Sequence, residues 1–259
     1  MVQASLVAAV PGPKYAGLER ASGQRILRVE RRGKFLILPL SEGDDLIIHL
    51  GMTGILSPEP PPKHVRVRLE LDPGPNPALY FQDVRRFGRF LVVPSGLYDS
   101  LPTLHAMGPE PLEASFTAPA FYRALQASAV PVKPYLLSQR PVSGVGNIYA
   151  DEALWRARVH PLTPSRVVSK AKAYALAGAI REVLAASLEF RGTTLQDYRT
   201  VNGEVGGYLA QLQVYGQPDA PCPRCGRPIT KTVVGGRGTH FCGHCQRLPR
   251  AAKQTRETA

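Results

Sequence analysis

The chain has 259 residues, a formal net charge of +12 and a pI near 9.8, with 44% hydrophobic residues. That hydrophobic content excludes wholesale disorder, and no apolar run reaches the roughly 18 residues that a membrane-spanning helix requires. The cationic excess points to a polyanionic partner, because clustered Lys and Arg release counterions from a phosphate backbone. An anionic membrane surface is the alternative, but no basic amphipathic helix supports it. The N-terminus lacks the charged, apolar and small-residue order of a secretory signal, so a reducing cytoplasm is the expected compartment.

In chain order, residues 1–106 read as a β-sandwich. Short apolar or alternating runs predict strands over Ile26–Val29, Phe35–Leu40, Leu46–Leu50, Val65–Leu71, Ala78–Phe81 and Phe90–Val93. Turn signals at Ser41–Asp45, Pro58–Pro62 and Pro73–Pro77 separate them. Residues 107–117, opening Met107-Gly-Pro-Glu-Pro-Leu112, suggest a linker. Residues 118–216 read as a helical domain with helices over Ala118–Ser128, Pro131–Arg140, Asn147–Arg158 and Ser169–Phe190. Between the second and third lies Pro141-Val-Ser-Gly-Val-Gly-Asn147. Its glycines permit a sharp turn, and Asn147 is a candidate helix cap whose following amides could hold a phosphate, as in a helix–two-turn–helix. A finger over 217–247 and a disordered, charged tail over 248–259 complete the chain, an α+β multidomain architecture overall.

The only four cysteines form two CxxC pairs, Cys222-Pro-Arg-Cys225 and Cys242-Gly-His-Cys245, separated by sixteen residues. Two such knuckles aim four thiolates at one point, the arrangement of a closed structural Zn2+ site that folds a module and does no chemistry itself. Two disulfides are the alternative pairing. Around the knuckles stand Arg224, Arg227, Lys231, Arg237, Arg247 and Arg250, and a cationic metal-folded hairpin suggests a nucleic-acid finger.

Several segments together resemble the formamidopyrimidine-DNA glycosylase/endonuclease VIII family of DNA repair enzymes. They are Arg31-Arg-Gly-Lys-Phe35, His49-Leu-Gly-Met-Thr-Gly54, Asp83-Val-Arg-Arg-Phe-Gly88, Gly108-Pro-Glu-Pro-Leu112, Gly144-Val-Gly-Asn-Ile-Tyr-Ala-Asp-Glu152, Gln213-Val-Tyr-Gly216 and the finger. Arg85-Arg-Phe-Gly88 and Gly144-Val-Gly-Asn-Ile-Tyr149 are similar to the branch that removes oxidised purines such as 8-oxoguanine. The resemblance implies base excision from double-stranded damaged DNA by a monomer, in a bacterial cytoplasm or nucleoid. It also implies roles. Met52, Arg85 and Phe87 fill the void left by a flipped base, a step that chemistry on a stacked base requires. Lys34 assists β-elimination as a proton donor, and His64 and Lys133 contact DNA. Asn147 and Arg237 hold the flanking phosphates, with Arg237 also assigned to the catalytic set. Residues Val201–Tyr208 correspond to a mobile loop over the flipped base.

One departure stands out. The family attacks the sugar C1′ with the secondary amine of an N-terminal proline that is followed by a catalytic glutamate. This sequence begins Met-Val-Gln-Ala-Ser-Leu, and the nitrogens of Pro11 and Pro13 are locked in amides. The expectation is therefore that the working protein begins further upstream with Pro-Glu, or that this is a derivative binding damaged or abasic DNA without cutting it. A smaller departure is Ser138, where the family commonly has an acidic residue. A non-catalytic zinc-ribbon protein of transcription or translation would explain finger and charge, but not Met52, Arg85 and Phe87 in their settings.

Overall fold

A computed structural model of the chain describes residues 1–6, 12–72, 77–193 and 206–249. The chain divides into two compact units, Met1–His105 with Arg191–Gly207, and Ala106–Phe190 with Tyr208–Ala259. The tail over 250–259 and the loop residues 201–205 lie outside the described residues.

The described part of the first unit holds eight strands: β1 (Val2–Leu6), β2 (Glu30–Arg32), β3 (Phe35–Pro39), β4 (Asp44–His49), β5 (Gly54–Ser57), β6 (Val65–Leu71), β7 (Ala78–Asp83) and β8 (Arg89–Pro94). A short helix, α1 (Pro102–His105), follows. The strands form two antiparallel four-stranded sheets in the orders β1-β6-β7-β5 and β2-β3-β4-β8. Their facing side chains make one core. Val67, Leu69 and Phe81 come from one sheet, and Leu38, Leu46, Ile48, Phe90 and Val92 from the other. Burying each of these apolar side chains contributes about 1.5–3 kcal/mol. In β6 the core residues alternate with exposed Arg68, the period of a strand with one wet face. In β4, Leu46, Ile47 and Ile48 are all buried, as in a strand covered on both faces.

The expected strand over Ile26–Val29 is not one. Ile26 makes a single bridge to Leu40, Leu27 and Val29 stand exposed, and pairing begins only at Glu30. Strands β1 and β5 were not anticipated. Val2–Leu6 pairs with β6, and Gly54–Ser57 is too short to carry a period of its own.

The second unit contains α2 (Ala118–Gln126), α3 (Val132–Leu137), α4 (Asn147–Arg156) and α5 (Lys170–Glu189), followed by a hairpin of β9 (Thr230–Val234) and β10 (Arg237–Phe241). Ala173, Leu176, Ala177, Ile180 and Val183 form the buried stripe of α5, at the i, i+3, i+4, i+7 spacing of one helix face. They pack in a cluster with Phe121, Leu125, Leu136 and Leu154 from the other helices, except Val183, which packs with Tyr208 and Leu212.

Helix α2 ends at Gln126 rather than Ser128, and two further C-terminal boundaries differ from expectation for local reasons. Helix α3 stops at Leu137 rather than Arg140. Ser138 caps it, and Gln139 turns left-handed at φ 65 while its side-chain amide donates to the carbonyl of Val145 at 2.8 Å. Helix α4 ends two residues early in a Schellman motif. The Val159 amide donates to the Leu154 carbonyl, the Arg158 amide donates to the Trp155 carbonyl, and Arg158 sits at φ 54. The segment expected as a linker is packed chain. The Gly108 amide donates to the Gln139 carbonyl, the Ser143 amide donates to the Pro109 carbonyl, and Glu110 is buried.

Candidate nucleic-acid interface

In the first unit, the sheet β2-β3-β4-β8 brings four predicted residues to one edge. Lys34 occupies the two-residue turn between β2 and β3, and register places the next residue, Phe35, opposite His49. The Phe35 and His49 rings lie 4.6 Å apart. Strand β4 runs from His49 into the loop bearing Met52, and β8 is preceded by the loop bearing Arg85 and Phe87. Met52 and Phe87 are 50% and 51% exposed, an unusual state for large apolar side chains on adjoining loops.

These two loops are stitched together by one buried carboxylate. Asp83 accepts from the Thr53 hydroxyl at 2.6 Å and from the Gly88 amide at 2.7 Å, and the Arg85 amide donates to Thr53 Oγ1 at 3.2 Å. Gly51 has φ 68, and a Cβ there would lie 2.7 Å from the Gly88 nitrogen, so only glycine permits this approach. Lys14 holds the Arg86 carbonyl at 2.7 Å and stands 5.5 Å from the Phe87 ring centre. Exposed apolar tips on a braced base can enter a base stack without the loops collapsing. His49 belongs to the same brace. Its Nδ1 accepts the Gly51 amide at 3.2 Å. Burial first, then the neighbouring charges of Lys34 and Arg89, lower its pKa to about 4, so it is neutral at pH 7. His64, half-buried at φ 65, gives its carbonyl to the Asp83 amide.

In the second unit, the hairpin turn is Gly235-Gly236, both with positive φ (56 and 72), as a two-residue turn between twisted strands demands. A Cβ on Gly235 would lie 2.9 Å from Pro134 Cγ, so the turn abuts α3. Exposed Arg237 follows it directly, and the backbone after Arg237 is fixed from two sides. The Gly238 carbonyl accepts from Lys133 Nζ and from Asn147 Nδ2, both at 3.0 Å, and the Thr239 hydroxyl lies 2.7 Å from Lys133 Nζ. Lys133 in turn pairs with Asp151 at 2.6 Å, and Asp151 accepts the His240 amide at 2.8 Å. Next to it, Glu152 is fully buried and accepts the consecutive amides of Gln213, Val214 and Tyr215 at 2.9–3.0 Å. One end of α4 thus anchors both the hairpin and the chain leading to it.

The four cysteine sulfurs lie within 4.8 Å of one another, with Cys225 and Cys242 sulfurs 3.6 Å apart. Sulfurs bound tetrahedrally at about 2.3 Å to zinc sit about 3.8 Å apart, whereas a disulfide bond is close to 2.05 Å. The quartet fits a zinc ion, and the disulfide alternative is set aside. Burial raises the Cys222 thiol, but donation from Trp155 Nε1 at 3.4 Å and from backbone amides outweighs it and brings the pKa down to about 6. Burial and neighbouring sulfurs push Cys245 up to about 12. Bound there, zinc supplies the cross-link that joins the knuckles to the hairpin.

Comparison with known proteins covers the whole architecture. The formamidopyrimidine-DNA glycosylase N-terminal domain matches residues 4–90, its H2TH domain residues 107–199, and the zinc finger found in FPG and IleRS residues 220–248. A formamidopyrimidine-DNA glycosylase of Thermus thermophilus is 50% identical over 235 residues, 90% of this chain and 86% of that protein. The chain belongs to the formamidopyrimidine-DNA glycosylase family.

The Deinococcus radiodurans formamidopyrimidine-DNA glycosylase is 49% identical, with 91% of this chain and 86% of that protein covered. The crystal structure of the Thermus thermophilus MutM (Fpg) protein superimposes with a TM-score of 0.85 at 49% identity, covering 91% of this chain and 88% of that one. A Lactococcus lactis Fpg solved as a complex with abasic-site DNA gives 0.77 at 35% identity, covering 89% and 85%. The chain is thus a member of a DNA-glycosylase family of base-excision repair, and its finger is the zinc-binding module of that family.

Within this glycosylase, two expected roles need correction. Lys133 is fully buried and spent on Asp151, Thr239 and Gly238, so it cannot reach a DNA phosphate; it braces the hairpin instead. Asn147 is not a cap. Gly146 occupies that position, and the Asn147 amide group reaches sideways to Gly238. Asp83, Asp151, Glu152 and His49 were not singled out from the sequence, although each sits inside a quoted motif.

Proposed function

We propose that this fold recognises double-stranded damaged DNA and excises oxidised purines, 8-oxoguanine and formamidopyrimidines, with subsequent strand cleavage at the abasic site. The observation that carries the reading is the pair of exposed apolar tips, Met52 and Phe87, on loops clamped by buried Asp83. Flipping a base out of the duplex leaves a gap, and a flexible apolar tip with a wedge ring can fill it. Arg85, exposed beside them, can hydrogen-bond the orphaned base. Separately, Arg237 and Asn147 face the phosphate-gripping role at the hairpin turn. Lys34, at its turn, is suited to deliver a proton during elimination. In the related Lactococcus lactis structures the bound DNA contains Fapy-dG or an abasic site.

The excision chemistry needs a secondary amine that attacks C1′, expels the base and leaves an iminium, from which loss of the C2′ proton breaks the C3′–O bond.

The test is fluorescence anisotropy on duplexes carrying an abasic site or 8-oxoguanine and on the intact duplex. Tighter binding to both damaged duplexes is expected, and equal affinity for damaged and intact duplexes would overturn the reading.

A further inference from the structure

We propose that the knuckle end of the finger carries a second anion site, suited to the phosphodiester backbone of DNA lying outside the segment gripped at the hairpin turn. A cavity of about 410 Å³ opens there, much larger than one metal ion needs, between the end of α4, the start of α5 and the second knuckle. Arg158, Lys172 and Arg247, one from each of those segments, line it, together with Arg224 and His244 and the edges of Cys225 and Cys245. No carboxylate lines it among the described residues.

The charge is more than the metal site requires. Four thiolates with one zinc ion leave a formal charge of about −2, while Arg158, Lys172, Arg224 and Arg247 each bring a positive charge. Two of these cations have structural duties. Arg224 stacks 4.2 Å from the Trp155 ring centre and donates to the Trp155 carbonyl at 2.9 Å, and Lys172 donates to the Arg158 carbonyl at 2.6 Å. Arg158 and Arg247 are exposed, and neither has a side-chain partner among the described residues. The backbone at Arg158 is informative. It holds φ 54 at the position after a helix end where glycine is cheapest. A long cation is kept there against local preference, and Lys172 clamps its carbonyl so that the side chain projects over the cavity mouth.

The site also lies apart from the hairpin turn. Pairing runs from Arg237–Val234 at the turn to Phe241–Thr230 at the knuckles. Five residues at about 3.3 Å each separate the two ends by roughly 15 Å. A phosphate held at the knuckles is therefore not the one held by Arg237. A DNA backbone is the favoured occupant, because an open cavity lined by Arg158, Lys172, Arg224 and Arg247 and by no carboxylate among the described residues attracts phosphate charge and reads no base.

The inference rests on the DNA-binding reading above, and the test separates the two. Anisotropy with the zinc-loaded chain compares a short abasic duplex of about 13 bp with an intact duplex of about 40 bp across a salt series, for the parent and for Arg158→Gly/Arg247→Gln. Arg158→Gly relieves the positive φ, so the thermal midpoint should not fall and weaker binding cannot be ascribed to unfolding. On the long duplex the slope of log K against log salt should become shallower by about 1–2, near 0.9 per lost phosphate contact, with at least a several-fold weaker Kd at about 0.1 M salt. The short abasic duplex should keep its Kd within about twofold, and Arg158→Lys should retain the parent slope. An unchanged slope on the long duplex would overturn the proposal, and an unchanged slope with faster zinc loss to a chelator would show that the cations serve the thiolates instead. Equal losses on both duplexes would also overturn it, by placing the cations within the lesion grip. Failure of the parent to prefer the abasic duplex would sink the lesion-binding reading alone.

Discussion

Removing the Asp151 carboxylate should loosen the finger's turn more than any surface change, and the structure allows the cost to be worked out. Asp151 and Lys133 are almost fully buried at 2.6 Å, and Asp151 also takes the His240 amide. Asp151→Ala leaves an ammonium buried with two neutral acceptors, Thr239 Oγ1 and the Gly238 carbonyl, and an unpaired buried amide at His240. Breaking a buried pair from one side costs about 3–5 kcal/mol, and an orphaned amide adds about 1–3 kcal/mol. Relaxation and water entry offset part of that sum, so a loss of about 4 kcal/mol is expected for the second unit. Burial already pulls the Lys133 pKa down against the pull of Asp151, so without the carboxylate the lysine should shed its proton readily and soften the loss. Lys133→Met/Asp151→Leu removes both charges and should be less destabilised than the sum of the single variants, with a coupling of at least about 2 kcal/mol. The assay is urea unfolding of the zinc-loaded protein followed by circular dichroism, with abasic-duplex Kd measured alongside. The single variants should also bind more weakly, because the Gly238 carbonyl next to Arg237 loses a clamp. A cost below about 1 kcal/mol for Asp151→Ala, or additive singles in the cycle, would refute the view that this pair holds the hairpin.

Other outcomes follow from the same geometry. Met52→Ala and Phe87→Ala, both at exposed tips, should leave stability within about 0.5 kcal/mol and weaken abasic-duplex binding by tenfold or more; an intact duplex should be bound as before in anisotropy. Asp83→Ala should instead lose stability and lesion preference together, by about 2–4 kcal/mol in unfolding, since it leaves two buried donors unpaired. His49 favours its neutral form when folded, with a pKa of about 4 against about 6.5 unfolded. Stability should therefore be intact above about pH 6.5 and fall by about 2–3 kcal/mol as pH drops toward about 4, a slope that His49→Gln abolishes in pH-dependent melts. Removing zinc with a chelator should unfold the hairpin and abolish DNA binding while the first unit keeps its sheet signal in circular dichroism.

The zinc site and the helical domain were legible because their determinants are local. Two CxxC pairs prescribe a metal module by spacing alone, and the Ala- and Leu-rich stripe of α5 needs only its own 3.6-residue period. The strands were harder. Gly54–Ser57 becomes a strand only because β7 lies beside it, and Ile26–Val29 fails to be one because its pairing stops at a single bridge from Ile26 to Leu40 and leaves Leu27 and Val29 exposed. Among the candidate site residues, Met52, Arg85, Phe87 and Arg237 belong to sequence motifs, and their side chains stand at the surface. What no local pattern disclosed is where the intervening charges go. Lys133 is expected from the resemblance to contact DNA, yet it is enclosed by Asp151 and Thr239, which lie 18 and 106 residues away. Asp83 likewise acquires its purpose only when two loops more than 30 residues apart meet over it. The sequence by itself determined which chemistry the surface offers, because exposed tips and thiolate spacing depend on neighbours in the chain. Only the tertiary structure decided which charges are spent internally, because desolvation and pairing are set by what packs around a group and not by what precedes it.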